Sequence, residues 1–560
     1  MTPPPFAGGS GSETFYHQAQ GTEHLWLSVL RSIPSLASLR GQVTGFQAFI
    51  DNPERFGLLP DPNGPEGLPV GLAITPVTER QPNARVGFNC AACHVGEFHY
   101  QGRKVRVDGA PSLINLEVFN LEAIAVMGAL LKDKTQLAAF LERLSERLPG
   151  VSGGSLAERL QAAYPDSDLT PDGNRDAREK LADEVEWFLS TQPQKKEECP
   201  PHMDMLVDQY VHDVSRKQIR TVSDALRLLQ GHMVYLGRHC AVTEKMTAAG
   251  PGRVDAFGVA RSMLFGPQNA KAVPLNAPVS FMCLWEFQNQ TWLHWDGNTN
   301  SIMQRNIGQS LGMGATVNRK THDSSIRPRD LDHLERLSHE MKAPAWPREL
   351  FGAPDATRLG RGRVLFEREC GSCHGPDIEP VPWQQVRTDP NRALNFAAEV
   401  QSQEGRFPFY AALWELLTHV ESQANERDVI SEEERRRFER ESVQWRASLG
   451  YVSRPLYGVW ATSPYLHNGS VPTLWDLLQP PAKRPAQFIL QGWEYDPVKV
   501  GYATVTPQDP NAAGYVPLPS GQLAFVFNVK ESGNSNEGHP YGTQLSDEEK
   551  RDLLEYLKSL

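Results

Sequence analysis

The pentapeptides Cys90-Ala-Ala-Cys93-His94 and Cys370-Gly-Ser-Cys373-His374 constrain this chain more than any other feature. In each, two cysteines flank two small residues and a histidine follows directly. On the first turn of a helix, this spacing puts both sulfurs on one side of a planar macrocycle and swings the imidazole under its centre. Thiols placed this way attach haem covalently as thioethers, and the histidine becomes the proximal iron ligand. With 7 Cys and 16 His among 560 residues, one such match by chance is rare and two are far rarer. Paired cysteines also bind zinc, but a histidine directly after both pairs argues for haem. The sequence therefore predicts two covalently bound haem c groups, held by Cys90, Cys93, Cys370 and Cys373, with His94 and His374 as iron ligands.

The other cysteines are Cys199, Cys240 and Cys283. A disulfide between two of them and unpaired buried thiols both stay open. With 40% hydrophobic and 22% charged residues the chain reads as globular, long enough for about two to four ordinary domains. Its net charge is −11 and no basic stripe stands out, so no nucleic-acid partner is expected. The longest strongly apolar window, Leu121 to Leu131, is about half of the ~20 residues that cross a bilayer, so no membrane span is expected. The first residues lack the pattern of a signal peptide. Bacterial haem attachment takes place outside the cytoplasm, so a periplasmic or secreted protein whose export leader has been removed is expected.

Along the chain, residues 1–89 read as loops with short helices. Residues 116–245 read as a helical insertion, with apolar residues at mixed three and four spacing between Leu121 and Leu148. Trp285, Phe287, Trp292 and Trp295 make an aromatic-dense segment. Residues 346–358 read as a linker, and Leu359 to Glu369 as an amphipathic helix entering the second motif. Ser546-Asp-Glu-Glu549 is a capping box with Leu545 as its staple, and Leu553, Leu557 and Leu560 line one face of a closing helix. The expected fold is mostly α, with two cytochrome-c-like haem domains at 1–345 and 346–560 and the 116–245 insertion in the first.

Two CxxCH motifs 280 residues apart, with Trp295-Asp-Gly between them, resemble the dihaem cytochrome c peroxidase/MauG superfamily. Five blocks are most similar to its rubber-oxygenase-like (RoxA-like) branch: Gly87 to His94, Trp292 to Ser301, Thr388 to Asn395, Ser463 to Thr473 and Gly538 to Thr543. The resemblance implies that haem 1, on His94, is the reactive one with its far face open to a small ligand. It implies that haem 2, on His374, is six-coordinate, its second ligand matching His539, with His467 as the alternative. It also implies that Trp295 bridges the haems. A Ca²⁺ between the haems occurs in the peroxidases, with no ligands assigned to this sequence.

The departures from those patterns shape the functional reading. Where the peroxidases carry Gln, Pro and the catalytic Glu after their Trp-Asp-Gly, this chain has Arg305, Gln309 and Ala315. Alanine cannot move a proton, a task that needs a titratable group within hydrogen-bond reach. Where the rubber oxygenase has an apolar Ala-Phe pair this chain has Gln309-Ser310, and His294 replaces the aromatic before the bridging tryptophan. A more polar pocket follows, with Arg305, Gln309, Ser310 and His294 as candidate partners of bound O₂ or H₂O₂. The leading expectation is a haem oxidoreductase acting on an organic substrate or small electron donor. The alternatives are a dihaem peroxidase, or an electron carrier in which Met303, Met313 or His294 closes haem 1. A redox sensor is a weaker third reading.

Overall fold

The computed structural model describes residues 10–23, 25–32, 52–75, 84–120, 246–266, 272–376, 379–402, 405–438, 442–517 and 523–560, with positions 140, 143 and 269. The helices expected beyond residue 120 in the insertion, the window Leu121 to Leu131, Cys199 and Cys240 lie outside these residues.

The first motif opens a single-turn helix, Cys90–His94. So short a helix depends on its cap, because its N–H groups have no intrahelical partners. Asn89 supplies it: its side chain accepts from the Ala91 N–H, and its amide donates to the carbonyls of Phe15 and Gln18, 3.0 Å each. The chain then enters an antiparallel hairpin, Val95–Tyr100 with Arg103–Asp108, in which Val95 faces Asp108. Gln101 and Gly102 turn the corner at φ 50° and 75°, the pair of positive values a type I′ turn needs.

That hairpin belongs to a six-stranded sheet completed from the far end of the chain. Gln487–Asp496 runs parallel to Val95–Tyr100, with Glu494 beside His99. It also pairs with Gly501–Val505 and with Leu523–Asn528, and Gly514–Pro517 forms the outer edge. Rings from both ends interlock beneath it: Phe98 stacks on Tyr502 at 5.4 Å and tilts against Trp460 at 5.5 Å. Trp346 and Phe351, in the stretch that reads as a linker, pack into the same cluster.

The expected mostly α fold is therefore corrected. Helix makes up 38% and strand 17% of the structure, and the described strands form five sheets. The cause lies in alternation. In Arg103–Asp108, Val105 and Val107 alternate with charged residues, and Ala524 and Val526 alternate with larger ones in Leu523–Asn528. Such short segments are too brief to declare themselves alone, and they become strands when cross-strand neighbours complete the burial.

The second motif follows helix Ala356–Glu369, capped by Asp355, whose side chain accepts from Thr357 and Arg358. This helix crosses the closing helix Asp547–Leu557, which carries the expected capping box between Ser546 and Glu549. Gly362 allows the crossing, since a Cβ there would lie 2.0 Å from the Asp552 carbonyl oxygen. Arg361 then grips the Asp552 carboxylate at 2.6 and 2.9 Å. A second core is helical. Ile302–Gly312 packs against Ala256–Phe265, Pro328–His339 and Phe409–Arg427 through Ile307, Leu311, Leu264, Leu331 and Leu417.

Candidate haem centres

Each motif histidine has one ring nitrogen engaged by a backbone carbonyl. His94 Nδ1 meets Met282 O at 2.8 Å, and His374 Nδ1 meets Arg454 O at 2.7 Å. A metal-binding imidazole typically donates its second N–H in this way, which fixes the tautomer and frees Nε2 for the metal. Burial lowers the pKa of both rings, that of His94 to about 3, and a neutral imidazole is the form that coordinates. The four motif cysteines are free of disulfides, with burial holding the thiols of Cys90 and Cys370 up at about 11. Cys90, His374 and Arg305 keep partial surface exposure, yet desolvation is the largest influence on each. Thiol pairs and oriented imidazoles fit haem c, which the Cys90/Cys93 and Cys370/Cys373 sulfurs would hold with His94 and His374 as its iron ligands.

Two straps of chain join the motifs. One runs through Ser280 to Trp285 and carries the Met282 carbonyl that serves His94. The other runs through Val452 to Gly458 and carries the Arg454 carbonyl that serves His374. They are laced side chain to backbone: Arg454 Nη1 donates to Cys283 O at 3.1 Å, and the Trp285 indole donates to Tyr457 O at 2.7 Å. Trp295 is pinned to both, its indole N–H on Ser280 O at 2.7 Å and its carbonyl accepting from Val452 N at 2.8 Å.

Around the first motif stands helix Ile302–Gly312, capped by Ser301. Arg305 lies on it, and its charge acts on Cys90, Cys93, His94 and His294. The guanidinium donates to Asn306 Oδ1 at 2.8 Å, and the Asn306 amide donates to Glu335 Oε2 at 2.8 Å. Glu335 Oε1 lies 2.8 Å from His339 Nε2, an ion-pair distance without hydrogen-bond alignment. Gln309 Oε1 and Ser310 Oγ are buried without a partner. Unsatisfied buried acceptors cost about 1–3 kcal/mol each, so both favour a donor arriving with a ligand. Ala315 is buried among Ile307 and Leu311 and contributes no proton.

His294 is oriented by a relay. The Asp296 carboxylate, paired with Arg392 at 3.3 Å, accepts from the Asn298 amide at 3.0 Å. The Asn298 oxygen therefore faces His294 Nδ1, 2.8 Å away. Nδ1 must carry the proton, and Nε2 is left as an acceptor.

The two C-terminal histidines occupy different surroundings. The ring of His539 lies 6.1 Å from that of His374, and its Nδ1 is buried without a partner. The ring of His467 is tilted against that of Tyr451 at 4.1 Å, with Nδ1 3.3 Å from the Thr388 hydroxyl and its carbonyl accepting from Ser280 N. Burial lowers both rings to about 3.

Residues 450–489 match the RoxA-like, cytochrome c-like family. The match covers the Arg454 strap and His467, and it supports a c-type cytochrome of oxidoreductase type with covalently held haem. It identifies one cytochrome-c-like segment, so the expectation of two cytochrome-c-like domains is corrected with the fold class. Two similar proteins are known from Sinorhizobium fredii (strain NBRC 101917 / NGR234). The uncharacterized protein y4iJ is 27% identical over 97% of this chain and 90% of its own length. The uncharacterized protein y4iM is 31% identical over 49% of this chain and 63% of its own length.

Among the described residues, no group of three His, Cys, Asp or Glu side chains is arranged to hold a metal ion, and no helix is long and apolar enough to cross a membrane. Sequence reasoning missed Met282, Arg454, Asn306 and Glu335. The first two act partly through backbone carbonyls, which any residue type provides. Glu335 left a faint signal in its i,i+4 spacing to His339 on an amphipathic helix.

Proposed function

We propose that this chain is an exported dihaem c-type oxidoreductase of the rubber-oxygenase-like kind. In this reading the haem on His94 activates O₂ or H₂O₂ for the oxidation or oxidative cleavage of an organic substrate. The haem on His374 relays an electron through Trp295. Haem supplies the redox-active iron with an axial position for oxygen, and the chain supplies everything around it.

The observation that carries the reading is the asymmetry between the two motif histidines. His374 faces a second histidine, His539, across 6.1 Å. Two imidazoles bound to one metal at about 2 Å each, with each bonded nitrogen a little over 1 Å from its ring centre, need roughly that spacing. Near the His94 motif a cation acts instead, Arg305, and the helix that carries it, Ile302–Gly312, also bears the unpaired Gln309 Oε1 and Ser310 Oγ. These can hold a polar oxygen ligand in place, while Ala315 leaves the peroxidase acid absent. That favours the oxygenase-like reading over the peroxidase.

One observation favours the electron carrier. Met313 packs against the cluster that contains Cys93, where a thioether is a candidate ligand to the iron on His94. Low-temperature EPR of the oxidised protein separates the readings. A high-spin ferric signal beside a low-spin one supports the oxidoreductase, and O₂, peroxide and alkene assays follow. Two low-spin signals that persist on half-reduction support the carrier.

A further inference from the structure

We propose that Arg454 makes one electrostatic unit of the two haem sites, so that a single cation sets both reduction potentials together. The proposal rests on the dihaem reading above.

The geometry is a short path between the two iron-binding histidines. His94 Nδ1 is held by Met282 O at 2.8 Å. The next carbonyl, Cys283 O, accepts from Arg454 Nη1 at 3.1 Å. The carbonyl of Arg454 itself holds His374 Nδ1 at 2.7 Å. One residue thus serves one histidine through its backbone and stands one peptide from the partner of the other through its side chain.

The described residues give that side chain no charged partner of opposite sign. An enclosed arginine is ordinarily matched by a carboxylate. Among the described residues Arg454 has none. Its remaining bonds are to neutral groups, Gln290 Oε1 at 2.9 Å and the Cys283 sulfur at 3.8 Å. Desolvation is the largest influence on the guanidinium, and Arg305 adds a second positive charge nearby. Positive charge in a desolvated setting favours the state of its surroundings that carries the extra electron. That charge acts on the His94 ring, and the backbone of the same residue holds His374, so on this proposal an electron added at either site is favoured by the one guanidinium.

The position allows a clean test, because substitution leaves the 454 carbonyl in place. Holoprotein carrying Arg454→Gln keeps the bond to His374 and loses the cation with its side-chain bonds to Gln290 and Cys283. Spectroelectrochemical titration is expected to show both midpoint potentials lowered relative to wild type, with Arg454→Lys restoring both in part. A shift of one haem alone, or of neither, overturns the proposal. If Arg454→Gln does not fold, Gln290→Glu sets a carboxylate against Arg454 Nε and neutralises the charge in place. Both potentials then fall together, and unmoved potentials overturn the proposal. Covalent haem counted by mass on the wild-type chain keeps the two claims apart. Fewer than two haems refutes the dihaem reading, whereas two haems with independent potentials refutes only the role of Arg454.

Discussion

The imidazole of His539 stands 6.1 Å from that of His374, ring centre to ring centre, with the two planes 46° apart. It is held there by its backbone. His539 adopts φ 56°, a value that L-residues rarely take, and its N–H donates to Val386 O at 2.9 Å. Arg484 donates to the carbonyls of Asn536, Gly538 and His539 at once. Strain of this kind persists only where surrounding structure enforces it, and it clusters at functional sites.

If His539 is the second ligand of the His374 haem, His539→Ala converts that low-spin ferric centre to high spin while covalent attachment is retained. His467→Ala leaves the low-spin signal in place, because His467 is occupied by Tyr451 and Thr388. EPR of the two variants decides, and a low-spin signal unchanged in His539→Ala rules the ligand out.

Trp295→Phe removes one hydrogen bond, the indole donor to Ser280 O, and should cost about 1 kcal/mol of stability. Its effect on electron sharing should be much larger, since Trp295 joins the strap that serves His94 through its indole and the strap that serves His374 through its backbone carbonyl. Half-reduced protein followed by stopped-flow spectroscopy is expected to show slower exchange between the haems. Exchange at the wild-type rate in a stable Trp295→Phe protein removes Trp295 from the path.

The pair Asp296 and Arg392 is almost fully buried, with side-chain exposures of 2% and 3%. Arg392 also lies 3.4 Å over the ring of Phe257. Asp296→Asn leaves that cation unmatched, and breaking such a pair costs about 3–5 kcal/mol. It also frees Asn298 to turn its amide, which releases the Nδ1–H tautomer of His294. Urea denaturation is expected to show the loss of stability. A midpoint within the error of wild type contradicts the relay.

The two CxxCH motifs stand out as candidate haem-attachment sites because their chemistry is local: five consecutive residues carry both sulfurs and the imidazole. The closing helix was legible for the same reason, since Ser546 and Glu549 cap it within one turn. The six-stranded sheet was not. Val95–Tyr100 finds its neighbour Gln487–Asp496 only in three dimensions, and its run of four buried residues shows no alternation that marks a strand until its partner is known. Arg305 and His294 were legible as polar residues in a pocket segment, but their roles depend on Glu335, Asn298 and Arg392, which meet them only on folding. Arg454 carried no signal, because a carbonyl on His374 and a guanidinium reaching Cys283 are set by path and not by residue pattern.

His467 gives the protein an acid-sensitive element apart from the proposed iron ligands. Burial, with Arg392 and Arg253 nearby, lowers its folded pKa from 6.5 to about 3. Between those values the unfolded chain binds a proton that the folded chain refuses. Stability from this group is therefore complete above pH 6.5 and is lost as pH falls toward 3. At pH 4.5 the loss should be on the order of 2–3 kcal/mol relative to pH 7. His467→Gln cannot take up that proton, so its stability should fall less over the same interval. The other buried histidines shift in the same sense in both proteins and cancel in the difference. Urea midpoints at pH 7 and 4.5 for the two proteins provide the check. Equal losses would mean that His467 is already charged in the folded state, and that its contact with Tyr451 tolerates the imidazolium.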